Sequence, residues 1–335
     1  MEFQGDSPPA THVLPATDEN ISRAARLLRE GALVAFPTET VYGLGAAAED
    51  SAAMRNLFAA KGRPADHPVI VHVAEAGQIA EWAIDIPSAA WKLAEAFWPG
   101  PMTLILRRSA RASDLVTGGQ ETVGLRVPSH PVAGALLREF GGGIAAPSAN
   151  RFGRVSPTRA EHVSAELSGR VELILDGGPC QVGLESTIID LSRGQPAILR
   201  PGAVTAEQVA AVLNSGTAES QAAAPRVSGG LASHYAPRAR VELLSLEAIA
   251  ARAAELLAGG ARVAVIVQTG IAAPASAVVI RLPPGDEPLA RELYAALRQA
   301  DEAGCDVILT AIPSRGGLAA AIEDRLRKAA APREK

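Results

Sequence analysis

Short apolar runs alternate with amphipathic helical patterns along almost the whole chain, and Pro or Gly follows nearly every apolar run. Runs such as LVAFPT, VIVHV and TLILRR have the length of strands, whereas ENISRAARLLREG places its apolar residues at helical spacing. SAAMRNLFAAKG is a second predicted helix, with Asp50 as its N-cap. Because strands and helices interleave without strict β-α-β repetition, the pattern predicts an α/β fold: a mixed sheet flanked by helices.

One stretch interrupts this pattern. Residues 214–240 are rich in Ala, Ser, Gly and Pro and have no apolar period, so they are predicted to form a linker. The aperiodic residues 1–15 are predicted to be a flexible tail. The 335 residues therefore divide into a first domain over 16–213 and a smaller, Rossmann-like α/β domain over 241–335. The second domain lacks GxGxxG, so no dinucleotide site is expected there.

Composition limits the classes of function. The N-terminus lacks a basic start and an apolar stretch, and no apolar run approaches the length of a membrane helix. Cys180 and Cys305 lie far apart, as in proteins of a reducing compartment, so a cytoplasmic location without membrane association is expected. The net charge of −4 disfavours a general nucleic-acid coat protein, although a local cluster of bases in a cleft can still bind an anion.

Polar and basic residues concentrate in six motifs at predicted strand or helix ends. PTETVYGLG is predicted to join a strand to a Gly-containing turn, and KGRPADHP to end a helix with two bases and a histidine. The other four motifs contribute an arginine within an apolar run, several hydroxyl groups and a second isolated arginine. The six are PTETVYGLG (37–45), KGRPADHP (61–68), VGLRVPSHP (123–131), PSAN (147–150), GLESTIID (183–190) and ILRPGAV (198–204).

Taken one at a time, most of these residues have an ordinary structural interpretation. Lys61 and Arg63 follow a helical pattern, where cations interact favourably with the helix dipole. Ser148 and Asn150 are also typical of a turn or a helix cap. Arg126 differs, because an arginine among Val, Leu and Val needs either a partner or an anionic ligand.

Taken together, the motifs predict an anion-binding cleft at the ends of one sheet. The P-loop pattern GxxxxGK[ST] is absent, so a nucleotide would be bound without it. His67 and His72 are five residues apart, but no carboxylate or cysteine set completes a metal site, and we assign no metal ligand to the protein. With no Ser-His-Asp or Cys-His arrangement evident, catalysis would depend on positioning and charge neutralisation.

The ordered set PTETVYGLG, KGRP with a following HP, WPGPMTLIL, VGLRVP, APSAN, GLESTIIDL and ILRPGAV resembles the YrdC-like threonylcarbamoyl-AMP synthases between residues 31 and 204. SHYAP and the second domain make the chain similar to the long, two-domain form of that family. The resemblance implies a YrdC-like twisted mixed sheet around a basic cavity. It also implies a nucleotidyltransferase that makes threonylcarbamoyl-AMP and pyrophosphate from L-threonine, bicarbonate and ATP, the ATP accompanied by Mg²⁺.

The same resemblance implies the use of the product and the roles of residues. The product would pass to a tRNA-modifying threonylcarbamoyl transferase complex for t6A modification next to the anticodon. Lys61 and Arg63 would be catalytic, Arg126 would bind the threonine carboxylate, and Tyr235 would close over the cavity as a lid. The threonine pocket would comprise Thr40, His72, Arg126, Ala146 and Ser186, and the ATP site Lys61, Arg63, His67, Thr122, Ser148, Asn150, Ser156, Arg200 and Tyr235.

The sequence disfavours two other functions. An RNA-binding module without catalysis is disfavoured by the slight net acidity, the aromatic content of 4% and an arginine within an apolar run. A related carbamoyl-transfer enzyme would be expected to carry acylphosphatase and zinc-finger segments, which the sequence does not show. Pyrophosphate release that requires both threonine and bicarbonate would distinguish the synthase from both.

Overall fold

The computed structural model describes residues 10–214, 216, 224–268, 273–313 and 317–332. A ten-stranded mixed sheet with the order β1-β8-β2-β3-β7-β4-β6-β5-β9-β10 forms the first domain. Its strands are β1 His12–Pro15, β2 Val34–Phe36, β3 Gly43–Ala47, β4 Ile70–His72, β5 Met102–Arg107, β6 Thr122–Arg126, β7 Ile144–Ala145, β8 Leu173–Asp176, β9 Thr187–Asp190 and β10 Ala197–Arg200.

Helices cover both faces of this sheet. The apolar stripe of the first helix, Ile21, Ala24, Ala25 and Leu28, has helical spacing and is buried. The helices are α1 Asp18–Arg29, α2 Ser51–Lys61, α3 Ile79–Trp82, α4 Ser88–Phe97, α5 Asp114–Thr117, α6 Pro131–Phe140, α7 Ala160–Leu167 and α8 Ala206–Leu213, with a 3₁₀ helix over Ala76–Gln78.

Helix α2 ends at the first of the two predicted bases, Lys61 and Arg63. As predicted, Asp50 caps it, accepting hydrogen bonds from the backbone N–H groups of Ala52 and Ala53 at 2.7 and 3.2 Å. The helix ends at Gly62, whose φ of +63° is left-handed and therefore suits glycine. Lys61 is thus the last helical residue and Arg63 the first residue beyond the cap.

Two segments differ from the predictions. Residues 43–45, predicted as part of a turn, belong to strand β3, which pairs antiparallel with β2, so the loop after β2 is confined to residues 37–42. His12–Pro15, predicted as part of the tail, is strand β1 at the sheet edge and pairs parallel with β8. Three of its four side chains are exposed and Leu14 alone among them packs against the core, so the strand shows no apolar alternation. Residues 1–9 of the predicted tail lie outside the described residues.

The second domain has the predicted α/β architecture. Its four strands are all parallel, in the order β11-β14-β12-β13. Along β12, Ala264 and Ile266 pack on one side while Val263, Val265 and Val267 pack on the other, so both faces are covered by helices. The elements are β11 Arg240–Leu243, α9 Leu246–Ala258, β12 Val263–Gln268, β13 Val278–Leu282, α10 Asp286–Glu302, β14 Val307–Thr310 and α11 Ala319–Ala330.

The predicted linker lies between the two domains. Residues 215 and 217–223 are outside the described part of the chain. Residues 224–239 contact both domains: Ala236 forms a bridge with Arg154, and the N–H groups of Arg238 and Ala239 donate to Asp301. The precise domain limits stay predictions. None of the helices in the described ranges has the length and apolar character that crossing a membrane requires.

Candidate active site

Strand ends from across the large sheet converge on one cleft. β4 and β6 are parallel neighbours whose last residues, His72 and Arg126, are in register. Both residues therefore lie at the same end of the two strands. Ser186 immediately precedes β9, and Arg200 ends the antiparallel strand β10 beside it. We call this site the central cleft; its lining includes Thr38, Thr40, Lys61, Arg63, His72, Arg126, Ala146, Ser148, Asn150, Phe152, Glu185, Ser186, Arg200, Ser228, Gly229, His234 and Tyr235.

The central cleft brings together most of the residues predicted for substrate binding. All residues of the predicted threonine pocket line it, as do Lys61, Arg63, Ser148, Asn150, Arg200 and Tyr235 of the predicted ATP site. Their individual roles stay predictions.

Three predicted ATP-site residues are not in the lining. His67 packs edge-on against the ring of Phe152, with 5.2 Å between ring centroids. Thr122 lies in an adjoining depression with Ser228. Ser156 is fully buried and its hydroxyl donates to Glu185 Oε1 at 2.5 Å, behind the cleft wall. If these residues act on the nucleotide, they do so from its periphery or through a neighbour.

Arg126 has the partner that its apolar strand required. Its Nη2 donates to Glu39 Oε1 at 2.6 Å and to the Thr40 hydroxyl at 2.9 Å, and its Nε donates to the Gly100 carbonyl at 3.3 Å. Both members of the ion pair are 4% exposed, and the second carboxylate oxygen of Glu39 accepts from the Ser129 N–H at 3.1 Å. The pair therefore fixes the guanidinium in the cleft wall.

His72 is neutral beside this pair. Burial, and then the charge of Arg126, lowers the pKa of His72 to about 3. Its Nδ1 is buried without a hydrogen-bond partner among the described residues. A neutral imidazole with a free ring nitrogen can bind a polar group without adding a charge.

Three buried cations face the cleft without a carboxylate. Lys61 donates to the backbone carbonyls of Ser148 and Asn150. Arg63 donates to the Pro68 carbonyl at 2.7 Å, and Arg200 to the Ser186 carbonyl at 2.9 Å. Lys61, Arg63 and Arg200 are at most 6% exposed, and within the described ranges none of them forms an ion pair.

The ionisation of these cations reflects their confinement. Burial, and then the charge of Arg63, lowers the pKa of Lys61. Burial, opposed by Tyr235 and reinforced by Arg200, lowers the pKa of Arg63 to about 10. Burial also lowers the pKa of Arg200. Concentrated positive charge on buried side chains is costly unless an anion compensates it, so this side of the cleft is suited to a polyphosphate.

Unpaired polar atoms concentrate in the same place. Within the described part of the chain, eight buried side-chain polar atoms lack a partner, and five of them belong to residues that line the central cleft. Each such atom costs about 1–3 kcal/mol unless a ligand or water satisfies it. The five are Arg63 Nε, His72 Nδ1, Asn150 Oδ1, His234 Nδ1 and the Tyr235 hydroxyl.

The linker closes one side of the cleft. Tyr235 is 1% exposed and has a φ of +59°, an uncommon backbone conformation for a tyrosine. Gly229, with a φ of +76°, lies so close that a Cβ atom there would be 2.1 Å from the Tyr235 hydroxyl. Tyr235 therefore lines the cleft, and its role as a lid stays a prediction.

Sequence reasoning missed three residues of the site. Glu39 and Glu185 lie inside the PTET and GLEST motifs, but no local pattern indicates that each pairs with an arginine far along the chain. His234, which precedes Tyr235, is buried, and burial lowers its pKa to about 3. The signal that could have found it is its place in SHYAP, the one cluster of ring side chains in the linker.

Comparison with known proteins agrees with this site and fold. Residues 26–202 match the family model of Sua5, YciO and YrdC, described as telomere recombination, and residues 204–331 match the C-terminal domain model of threonylcarbamoyl-AMP synthase. The chain is 43% identical over 334 residues to the threonylcarbamoyl-AMP synthase of Bacillus subtilis (96% of each chain). It is 42% identical over 320 residues to that of Pyrococcus abyssi (91% of this chain, 92% of the other).

A solved structure extends the comparison to the whole fold. Pyrococcus abyssi Sua5 complexed with L-threonine aligns with a TM-score of 0.89 and 40% identity, covering 96% of this chain and 97% of that one. The YrdC-like mixed sheet and the second parallel sheet are both included in that coverage. The chain therefore belongs to the threonylcarbamoyl-AMP synthase family of AMP-transferring enzymes, in its long two-domain form.

Proposed function

We propose that the central cleft binds L-threonine, bicarbonate and ATP and converts them to threonylcarbamoyl-AMP and pyrophosphate. The observation that carries the proposal is the group of buried cations, Lys61, Arg63 and Arg200, that have carbonyl partners and no carboxylate. A triphosphate would compensate their charge. The burial of these cations also argues against the alternative RNA-binding module, whose basic residues would be exposed.

The amino acid would bind at the Arg126 end of the cleft. Nη2 and Nε of Arg126 are engaged by Glu39, Thr40 and Gly100, whereas Nη1 has no partner among the described residues and remains for the substrate carboxylate. His72 would offer its unpaired Nδ1 to another polar group of the same substrate. The complex of the Pyrococcus abyssi relative with L-threonine supports this choice of amino acid.

The reaction would proceed in two steps. The threonine ammonium group first loses a proton; the neutral amine then attacks bicarbonate, and loss of water leaves a carbamate. A carbamate oxygen then attacks the α-phosphorus of ATP. As the new P–O bond forms, the bond between the α-phosphorus and the oxygen that bridges the α- and β-phosphates breaks. Pyrophosphate leaves with the electron pair of the broken bond. Lys61 and Arg63 would stabilise the charge that develops on the phosphates. Tyr235 and the linker would exclude water, which decomposes carbamates.

Mg²⁺ would enter with ATP and not through a protein site. The described residues contain no group of three or more side chains that could hold a metal ion. The carboxylates beside the cleft, Glu39 and Glu185, are both occupied by arginines. The arrangement therefore fits a metal carried by the phosphates, and we assign no step to it.

The product would serve tRNA modification. We propose that threonylcarbamoyl-AMP passes to a threonylcarbamoyl transferase complex that forms t6A beside the anticodon, within the cytoplasm. Support for this step comes from the product's mixed anhydride, which is hydrolysed in water and therefore needs a consumer close at hand.

Pyrophosphate release tests the proposal. We expect release to require ATP, threonine and bicarbonate together, and we expect Lys61→Met to slow it by about 100-fold or more, since an electrostatic contact to the transition state is lost. Lys92→Met, at an exposed position of α4, is the matched control and should leave the rate unchanged. Release that is independent of bicarbonate would refute the proposed reaction.

A further inference from the structure

Two side chains of the second domain reach a carboxylate of the central cleft. Tyr294 of α10 donates its hydroxyl to Glu185 Oε2 at 2.9 Å, and Arg325 of α11 donates Nε to the same oxygen at 2.8 Å. Both donors are almost completely buried. Since Ser156 occupies Oε1, the carboxylate has donors on both oxygens.

The Glu185 carboxylate is therefore held by side chains of the second domain. Burial opposes its ionisation, but the charges of Arg325 and Arg200 outweigh that effect and lower the pKa of Glu185 to about 2. The carboxylate is thus ionised at neutral pH, in the wall of a site proposed to bind a polyanion. Its negative charge is tolerable there only if it is well compensated.

Arg200 is the other cation within electrostatic range of Glu185. The charge of each affects the pKa of the other, yet they form no ion pair. Instead Arg200 donates to the Ser186 carbonyl at 2.9 Å and to the Ser228 carbonyl at 2.9 Å. Arg200 is thus held by neutral carbonyls, and no carboxylate of the described residues is bonded directly to its guanidinium.

Arg325 contacts the cleft wall at two further points. Its Nη2 donates to the carbonyl of Pro201, the residue after Arg200, at 3.0 Å. Its guanidinium carbon lies 5.1 Å from the centroid of the Tyr235 ring. One side chain of α11 therefore touches the carboxylate, the end of β10 and the linker tyrosine.

We infer that Arg325 and Tyr294 are positioning residues that keep Glu185 from pairing with Arg200, so that the Arg200 guanidinium remains available to the phosphates of ATP. The inference rests on the proposed function and assigns the second domain a role in nucleotide binding. If Arg325 were neutral, Arg200 would be the cation left for the buried carboxylate, and their pairing would withdraw Arg200 from the substrate.

Steady-state kinetics of Arg325→Met test this role. We expect the KM for ATP to rise by about tenfold or more, which corresponds to loss of one charged contact, while the KM for threonine changes by less than about twofold. Arg327→Met is the matched control: Arg327 is on the same helix, its side chain is 64% exposed, and among the described residues its one ion pair is with Glu323. Its kinetics should equal those of the wild type.

A rescue distinguishes positioning from a merely structural role. Adding Glu185→Gln to Arg325→Met removes the carboxylate that would capture Arg200, so we expect the KM for ATP to return at least partway towards the wild-type value. Tyr294→Phe deletes one hydroxyl and keeps the ring, which is stacked 5.8 Å from that of Tyr235. Tyr294→Phe should also raise the KM for ATP, by a smaller factor than Arg325→Met. It replaces Arg325→Met as the test if that variant does not fold.

Three results would overturn the inference. The first is an unchanged KM for ATP in folded Arg325→Met, and the second is an equal rise in the KM values for ATP and threonine in that variant. The third is a KM for ATP in the double variant Glu185→Gln/Arg325→Met that is as high as in Arg325→Met. Cooperative urea unfolding establishes that each variant is folded. Failure of the wild type to release pyrophosphate would instead refute the proposed function, so the two failures are distinguishable.

Discussion

Replacement of Arg126 by methionine should affect both the stability of the protein and its binding of threonine. The guanidinium and the Glu39 carboxylate are paired at 2.6 Å, and each residue is 4% exposed. Arg126→Met would leave Glu39 buried and charged, with the Ser129 N–H as its remaining partner among the described residues. We expect a loss of about 3–5 kcal/mol in the free energy of unfolding, the cost of an uncompensated buried charge.

The double variant Glu39→Gln/Arg126→Met provides the control. It removes both charges and keeps an acceptor for the Ser129 N–H, so we expect it to be more stable than Arg126→Met by about 2 kcal/mol or more. Both variants lack the guanidinium, however, and neither is expected to bind threonine. A folded double variant that does not bind would therefore separate the two roles of Arg126.

Urea unfolding monitored by tryptophan fluorescence gives the free energies, and calorimetry gives threonine binding. The slope of free energy against urea should be equal among the variants if only stability changes. A loss below about 1 kcal/mol in Arg126→Met would refute the energetic reasoning. Wild-type affinity for threonine in the double variant would refute the assigned pocket.

Two further predictions concern the linker and the buried histidine. Gly229→Ala would push a Cβ into the Tyr235 hydroxyl, and we expect pyrophosphate release to fall by about tenfold. Gly194→Ala is the control, because Gly194 also has a positive φ but has open space around its Cβ, so this variant should share only the backbone cost. Equal activity of the two variants would contradict the prediction. His72 binds a proton below pH 6.5 when unfolded but only near pH 3 when folded, so its contribution to stability is complete above pH 6.5 and is lost as the pH falls. As the pH decreases between those values, the free energy of unfolding should fall less steeply for His72→Gln than for the wild type, and the two slopes should differ by about 1.4 kcal/mol per pH unit. Parallel profiles of unfolding free energy against pH, measured with urea, would contradict this prediction.

Local sequence patterns predicted the regular elements well where side chains carry the signal. The stripe Ile21, Ala24, Ala25 and Leu28 has helical spacing that any core would bury, and Asp50 caps α2 without help from distant residues. Strand β1 escaped prediction because its neighbour β8 supplies its hydrogen bonds and its side chains are largely exposed. Apart from Leu44, Gly43–Ala47 consists of small residues that suit both a turn and a strand paired with β7, and only the sheet distinguishes the two conformations.

The candidate site divides in the same way. Basic and hydroxyl residues at strand ends could be recognised from the sequence, because strands that share a sheet bring their ends together whatever the details of packing. The partners of those residues could not. Glu39 contacts Arg126 across 87 positions of the chain, and Glu185 contacts Arg325 across 140.

The sequence by itself thus determined the elements, the motifs and the family, since these depend on neighbouring residues and on the order of short segments. Only the tertiary structure decided which charges are compensated. A charge buried by residues remote in the chain acquires its partner, or fails to, through the packing of whole helices and strands. Arg126 acquires a carboxylate in this way, Arg200 does not, and α11 of the second domain carries the guanidinium that binds Glu185.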